Sequence, residues 1–253
     1  MNRLLKCSLS MLVLMLSLRA QTNETNCREA LKKNTRCEMR LKDWANLNRY
    51  REANRKVQSP SKNETRVVFM GDSITDSWNL AQYFSGKPFV NRGISGQTTP
   101  QMLLRFRADV IDLKPRIVVI LAGTNDIAGN TGTMTLEDTA DNITSMAELA
   151  RANKIRVVLS SVLPVNDRVK NKEDVLLIQT KNRPGEKITA MNRWLKKYAA
   201  ENGLIYLDYY AAMIDEKETL KDGLSYDGLH PNADGYKVMQ TLAEQAIKRA
   251  LKK

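Results

Sequence analysis

The sequence is poor in the residues that usually carry metal and redox chemistry. It holds one histidine, His230, and three cysteines in 253 residues. It has no Cys-x-x-Cys pair and no His-Glu-x-x-His run, so no usual zinc set is present and no metal ligands are assigned. A Gly-x-x-x-x-Gly-Lys-Ser/Thr loop for nucleotide phosphates is missing too, as is Gly-x-Gly-x-x-Gly after a strand. No cofactor is therefore expected. Internal repeats and long low-complexity tracts are also lacking. Acids are outnumbered: 40 Lys and Arg face 28 Asp and Glu, for a net charge of +12. The basic residues are scattered, with no aromatic-interleaved RNA motif or zinc-finger pattern. The charge therefore reads as a solvated surface rather than a nucleic-acid site.

Long apolar runs are scarce. The one that stands out covers residues 7–18, interrupted only by Ser8, Ser10 and Ser17, behind the positive start of Arg3 and Lys6. It is too short for a comfortable membrane span. Arg19-Ala20 then leads into a polar run from Gln21 to Asn26. This is the layout of a signal peptide over residues 1–20, with cleavage expected after Ala20. An uncleaved anchor is the alternative. Export places the protein outside the cell, in a periplasm or in the cell envelope. Cys7 would leave with the signal, and Cys27 and Cys37 would remain as an even pair in an oxidising compartment. Ten residues apart, they cannot be bridged along one straight helix. A disulfide needs a turn between them, which Asn34-Thr35 can supply; two free thiols are the alternative. Asn23, Asn63 and Asn142 each begin an Asn-x-Ser/Thr sequence, which matters only in a host that glycosylates exported proteins.

The rest divides into an N-terminal helical extension and linker, residues 21–64, and one domain over residues 65–253. In the extension a helix is expected over 38–54, with Leu41, Trp44, Leu47 and Tyr50 on one stripe. Short apolar strands are then expected at 66–70, 88–91, 116–121, 155–160 and 204–207. Helices are expected at 99–113, 136–152, 185–201 and 234–251, with Lys114-Pro115, Asn153 and Asn202-Gly203 at their stops. This alternation means an α/β fold, a parallel sheet of about five strands covered on both faces. In such sheets ligands bind beyond the carboxyl ends of the strands.

Four loops at that end carry chemistry. Gly71-Asp72-Ser73 follows the first strand and turns into a helix, so the Ser73 hydroxyl is presented beside free N–H groups. Taken alone, the same residues read equally as a helix cap. The second loop, Gly93-Ile94-Ser95-Gly96, lets backbone approach a ligand closely. The third, Gly123-Thr124-Asn125-Asp126, can aim the Asn125 amide at an oxyanion. Each of these two also reads as an ordinary turn. The fourth is Asp227-Gly228-Leu229-His230. A carboxylate three residues before an imidazole can reach Nδ1–H and leave Nε2 free as a base. Together the four supply a nucleophile, oxyanion donors, a base and an orienter, the full set for acyl transfer.

These four blocks, in this order, resemble the GDSL or SGNH hydrolases, over about residues 66 to 250. The resemblance implies a flavodoxin-like, three-layer α/β/α sandwich. It also implies hydrolysis of esters or thioesters without a cofactor. It makes Ser73 the nucleophile, His230 the general base and Asp227 its orienter. The Ser73 and Gly96 N–H groups and the Asn125 side chain would form the oxyanion hole. Short acyl groups, acetyl above all, on an extracellular glycan or a small ester are the expected substrates. A lysophospholipase or thioesterase for longer chains comes second, and a non-catalytic surface glycan-binding module is the alternative from another class. Membrane contact is compatible but not required, and oligomeric state is not legible. The long segment 161–184, with its apolar 175–178 stretch, is a candidate cover for the site or simply a surface loop.

Overall fold

In a computed structural model of the chain, residues 41–252 are described, together with Glu29, Leu31 and Glu38. The expected signal segment and the Cys27/Cys37 pair lie outside the described residues. The chain divides into two units, Met1–Asn46 and Leu47–Lys253. In the first, the described residues Glu29, Leu31, Glu38, Leu41 and Lys42 are helical. A turn then closes where the Asn46 N–H donates to the Asp43 carbonyl at 3.0 Å, with Asn46 at φ +54°.

The single helix expected over 38–54 does not form. Residues 47–50 are turns, and helix α1 runs only over Arg51–Lys56. Of the expected stripe, Tyr50 is buried while Leu41, Trp44 and Leu47 are exposed. The physical reason lies in Asn46 and Asn48. Asparagine tolerates left-handed backbone and competes for backbone hydrogen bonds, which ends helices that apolar spacing alone suggests.

The second unit is built on five parallel strands: β1 (Val67–Gly71), β2 (Phe89–Gly93), β3 (Ile117–Leu121), β4 (Arg156–Ser160) and β5 (Ile205–Leu207). Their order is β2-β1-β3-β4-β5. Every residue of β1 and β3 is buried, as continuous apolar strands in the middle of a covered sheet must be. Alternate residues point to opposite faces. Val68, Met70, Val118, Ile120, Val157 and Leu159 meet one helical layer. That layer is α4 (Thr99–Asp109), α6 (Leu136–Ala152) and α7 (Gly185–Glu201). Val67, Phe69, Ile117, Val119, Leu121 and Val158 face the other layer. There α9 (Ala233–Lys252) contributes Met239, Ala243, Ala246 and Ile247. The result is the expected flavodoxin-like three-layer sandwich.

Between these elements lie the one-turn helices α2 (Ser73–Asp76), α3 (Leu80–Tyr83), α5 (Thr124–Ile127) and α8 (Tyr209–Met213). From β1 the chain runs to β2 on one side, then crosses back past β1 to β3 on the other. The crevice at a reversal of this kind, beyond the strand ends, is where ligands bind in open α/β sheets. Ser73 follows β1 and Asn125 follows β3, so both flank that crevice.

Candidate active site

Ser73 opens α2 immediately beyond β1. Asp72 caps this helix, its Oδ1 accepting from the Ile74 N–H at 2.9 Å. The turn is held against β2, because a Cβ on Gly93 would lie 2.1 Å from the Asp76 backbone nitrogen. Only glycine permits that approach. Arg105, 1% exposed, reaches from α4 to tie three parts together. It donates to the Gly71 carbonyl at 3.1 Å, to Gln97 Oε1 at 2.6 Å and to Asp109 Oδ2 at 2.9 Å.

The Ser73 hydroxyl lies 2.9 Å from Nε2 of His230, although 157 residues separate them. His230 Nδ1 lies 2.6 Å from Asp227 Oδ2. The other carboxylate oxygen, Oδ1, accepts from the backbone N–H groups of Leu229 and His230 at 3.0 and 2.7 Å. Burial pushes the Asp227 pKa up. The hydrogen bonds from the His230 ring, His230 N–H and Leu229 N–H outweigh this and hold it below the usual carboxylate range. An ionised carboxylate only accepts, so the imidazole proton sits on Nδ1 and Nε2 presents its lone pair to Ser73. Tyr226 stacks on the imidazole, with ring centroids 5.7 Å apart and planes 10° from parallel.

The other two expected site residues adjoin one another. Asn125, 3% exposed, sits in α5 and donates from Nδ2 to the Gln97 carbonyl at 3.1 Å. Gly96, just before Gln97, has φ +79°, and its carbonyl accepts from Asn130 Nδ2 at 3.1 Å. Ser73, Asp227 and His230 thus form one hydrogen-bonded chain, and Asn125 grips the segment that carries Gly96. Among the described residues, no group of three or more His, Cys, Asp or Glu side chains could hold a metal ion.

Residues 69–238 match the model of the GDSL-like lipase/acylhydrolase family. The chain belongs to this family. A GDSL-like lipase from Bacteroides thetaiotaomicron has a similar structure, with TM-score 0.74 and 42% identity, over 81% of this chain and 98% of that one. An acetylxylan esterase from Xylanibacter ruminicola is 25% identical over 236 residues, 76% of this chain and 45% of that protein. An uncharacterised lipoprotein of Bacillus subtilis is 31% identical over 118 residues, 39% of this chain and 49% of that protein. The chain spans about half the length of these two curated relatives.

Several polar residues around this candidate site carry no signal in the sequence. Arg183, in the turn before α7, donates to Asn125 Oδ1 at 3.3 Å, Thr124 Oγ1 at 3.1 Å and Gln179 Oε1 at 3.4 Å. Gln179 in turn donates to the Asp227 carbonyl at 2.9 Å. Asp72 is also more than a cap. Burial pushes its pKa up to about 6, against the Ile74 N–H and the His230 ring, and its Oδ2 is buried without a hydrogen-bond partner.

Segment 161–184 divides in two. Asn192 of α7 pins its start, accepting from the Val162 N–H at 2.7 Å and donating to the Val162 carbonyl at 3.0 Å. Val162, Leu163 and Val165 are buried, whereas Val175, Leu176 and Ile178 are exposed. Only its end, at Gln179 and Arg183, bonds to the expected site residues.

Proposed function

We propose that this GDSL hydrolase is a serine esterase that cleaves short-chain, chiefly acetyl, esters of extracellular glycans or small molecules through an acyl-enzyme on Ser73. The observation that carries the reading is the hydrogen-bonded chain from Ser73 Oγ to His230 Nε2 to Asp227 Oδ2, at 2.9 and 2.6 Å. The Ser73 oxygen attacks the ester carbonyl carbon while its proton passes to His230 Nε2. The new imidazolium is stabilised by the Asp227 carboxylate across Nδ1–H. The carbonyl oxygen becomes an oxyanion, held by the Ser73 and Gly96 N–H groups and by Asn125 Nδ2. The tetrahedral species collapses, the C–O bond to the alcohol breaks, and His230 returns the proton to the departing oxygen. Water then repeats the sequence on the acyl-enzyme. Its proton goes to His230, its oxygen bonds to the acyl carbon, and Ser73 leaves and is reprotonated.

The short-acyl preference draws on the similarity to an acetylxylan esterase and on the exposed Tyr226 ring beside His230, an aromatic face on which a sugar can stack. Export draws on the signal-like residues 1–20 and on the lipoprotein relative. A second reading, a lysophospholipase or thioesterase, is favoured by exposed Val175, Leu176 and Ile178. A series of aryl esters of rising acyl length separates them. An optimum at acetate supports the first reading, and an optimum at eight carbons or more supports the second. Ser73→Ala is the control. Full activity in that variant would end both readings, and failure of an organophosphate probe to label Ser73 would favour a glycan-binding module.

A further inference from the structure

Among the described residues, Arg183 is a buried cation without an ion pair in contact. It is 8% exposed, and its three side-chain partners, Asn125 Oδ1, Thr124 Oγ1 and Gln179 Oε1, are all neutral oxygens. Asp72 and Asp227 act on it only at longer range, against a burial that lowers its pKa. A desolvated guanidinium is costly to keep, and here it does not answer a buried carboxylate directly.

Its chemistry fixes its neighbour. A guanidinium has five N–H donors and no acceptor, so the Asn125 atom facing it must be the oxygen. The Gln97 carbonyl, on the other side, only accepts, so the Asn125 atom facing it must be the nitrogen. Two independent partners demand the same orientation of one amide. Turning the amide over would set N–H against N–H and oxygen against oxygen. With one Nδ2–H committed to Gln97, the second remains for a ligand. A positive charge on the carbonyl end also polarises the amide, which strengthens the remaining N–H as a donor. Gln179 extends the connection, since it accepts from Arg183 and donates to the Asp227 carbonyl. The amide and the histidine loop are therefore tied to the same side chain pair.

We propose that Arg183 is a positioning residue, which locks the Asn125 amide with Nδ2–H toward the developing oxyanion and, through Gln179, holds that amide in register with the His230 loop. This rests on Asn125 as an oxyanion donor. It assigns a role to the end of segment 161–184, beyond the exposed Val175, Leu176 and Ile178.

The test is a double-mutant cycle on a soluble aryl acetate, with Arg183→Met and Arg183→Lys each made alone and with Asn125→Ala. Asn125→Ala alone is expected to lower kcat by roughly a hundredfold or more. Arg183→Met alone is expected to lower kcat roughly tenfold or more with KM changed less than about threefold, because the interaction it supports exists only in the transition state. In the Asn125→Ala background the same change is expected to cost less than about threefold, since there is no amide left to orient. Arg183→Lys, which keeps charge and loses the planar fork, is expected to fall between wild type and Met. Thermal melts establish that each variant is folded at assay temperature; if Arg183→Met is not, the Lys variant carries the cycle. An equal loss in both backgrounds overturns the proposal while leaving the oxyanion reading intact. A rise in KM alone overturns it in favour of substrate binding. An unchanged kcat in Asn125→Ala overturns the underlying reading and the proposal with it.

Discussion

Gly228 and Asn166 lock the histidine loop in place. The Asn166 N–H donates to the Gly228 carbonyl at 2.9 Å, and a Cβ on Gly228 would stand 2.3 Å from the Asn166 carbonyl oxygen. Gly228 also has φ +83°, a conformation that strains any other residue. It lies between Asp227 and His230, so any shift that relieves the clash moves both. Gly228→Ala is therefore expected to destabilise the fold by about 1–3 kcal/mol. It should also lower kcat by roughly tenfold or more, from misplacement of the histidine. Thermal unfolding and steady-state kinetics on one preparation measure both. A variant with wild-type kcat would show that the loop's position is not set here.

Asp227 offers a cleaner separation of chemistry from folding. Asp227→Asn can keep Oδ1 as acceptor for the Leu229 and His230 N–H groups, which preserves the turn. Its amide nitrogen would then face His230 Nδ1. A donor there forces the imidazole proton to Nε2, where it faces Ser73 and blocks base catalysis. kcat is expected to fall by roughly 10³–10⁴, the loss known for a triad whose histidine holds the wrong tautomer. The melting temperature should change little. A loss below tenfold would mean that Asp227 does not set the tautomer.

Much of this architecture is legible in the sequence, for identifiable reasons. α6 and α7 run long enough for their apolar period to repeat several times, and they stop where Asn153 and Asn202 suggest. β3 reads as one apolar run because both its faces are covered. The short helices α2, α3, α5 and α8 have four or five residues each, about one turn, and one turn has no period to detect. The site divides likewise. Ser73 and Asn125 stand in one-turn helices just after strands, and His230 stands shortly before α9, where local sequence marks them. Arg183 lies 58 residues from Asn125, and nothing near it in sequence announces the amide it orients. Arg105 is similar. In a helix it looks like a surface charge, and only tertiary structure buries it.

The raised pKa of Asp72 makes stability depend on pH with a definite sign. Its ordinary value is 3.8 and burial lifts it to about 6 in the folded protein. Between those values the folded state binds the proton more tightly than the unfolded chain, so stability falls as pH rises through the window. The fall attributable to this group is about 3 kcal/mol, complete by roughly pH 7. Asp227 acts in the opposite sense, because its pKa is lowered; its stabilisation is present above the unfolded value and is lost as pH falls through the folded one. Asp72→Asn retains an acceptor for the Ile74 N–H and removes the titration. Urea unfolding of wild type and variant at pH 5 and pH 8 is expected to show that the variant loses less stability on going to the higher pH. Parallel pH dependences would assign the slope to other groups.

Arg105 gives the sharpest test of how the Ser73 turn and the Gly96 loop are held together. Its guanidinium joins the Gly71 carbonyl, two residues before Ser73, to the Gln97 side chain, one residue after Gly96. Its charge is matched by Asp109 one helical turn on, and that carboxylate also accepts from Asn54 Nδ2 at 2.6 Å. Burial lowers the Arg105 pKa while the Asp109 charge and hydrogen bond raise it, so the two are kept as a pair. Arg105→Met keeps most of the volume but leaves Asp109 as a buried, poorly compensated charge. The expected cost is about 3–5 kcal/mol. Adding Asp109→Asn removes that stranded charge while Oδ1 still accepts from Asn54, so the double variant should recover at least about 1 kcal/mol relative to Arg105→Met. kcat should not recover with it, because the bonds to Gly71 and Gln97 stay broken. Chemical denaturation and kinetics on the two variants separate these effects. Recovery of stability and kcat together would mean that Arg105 serves the fold as a counter-ion and has no part in aligning the two loops.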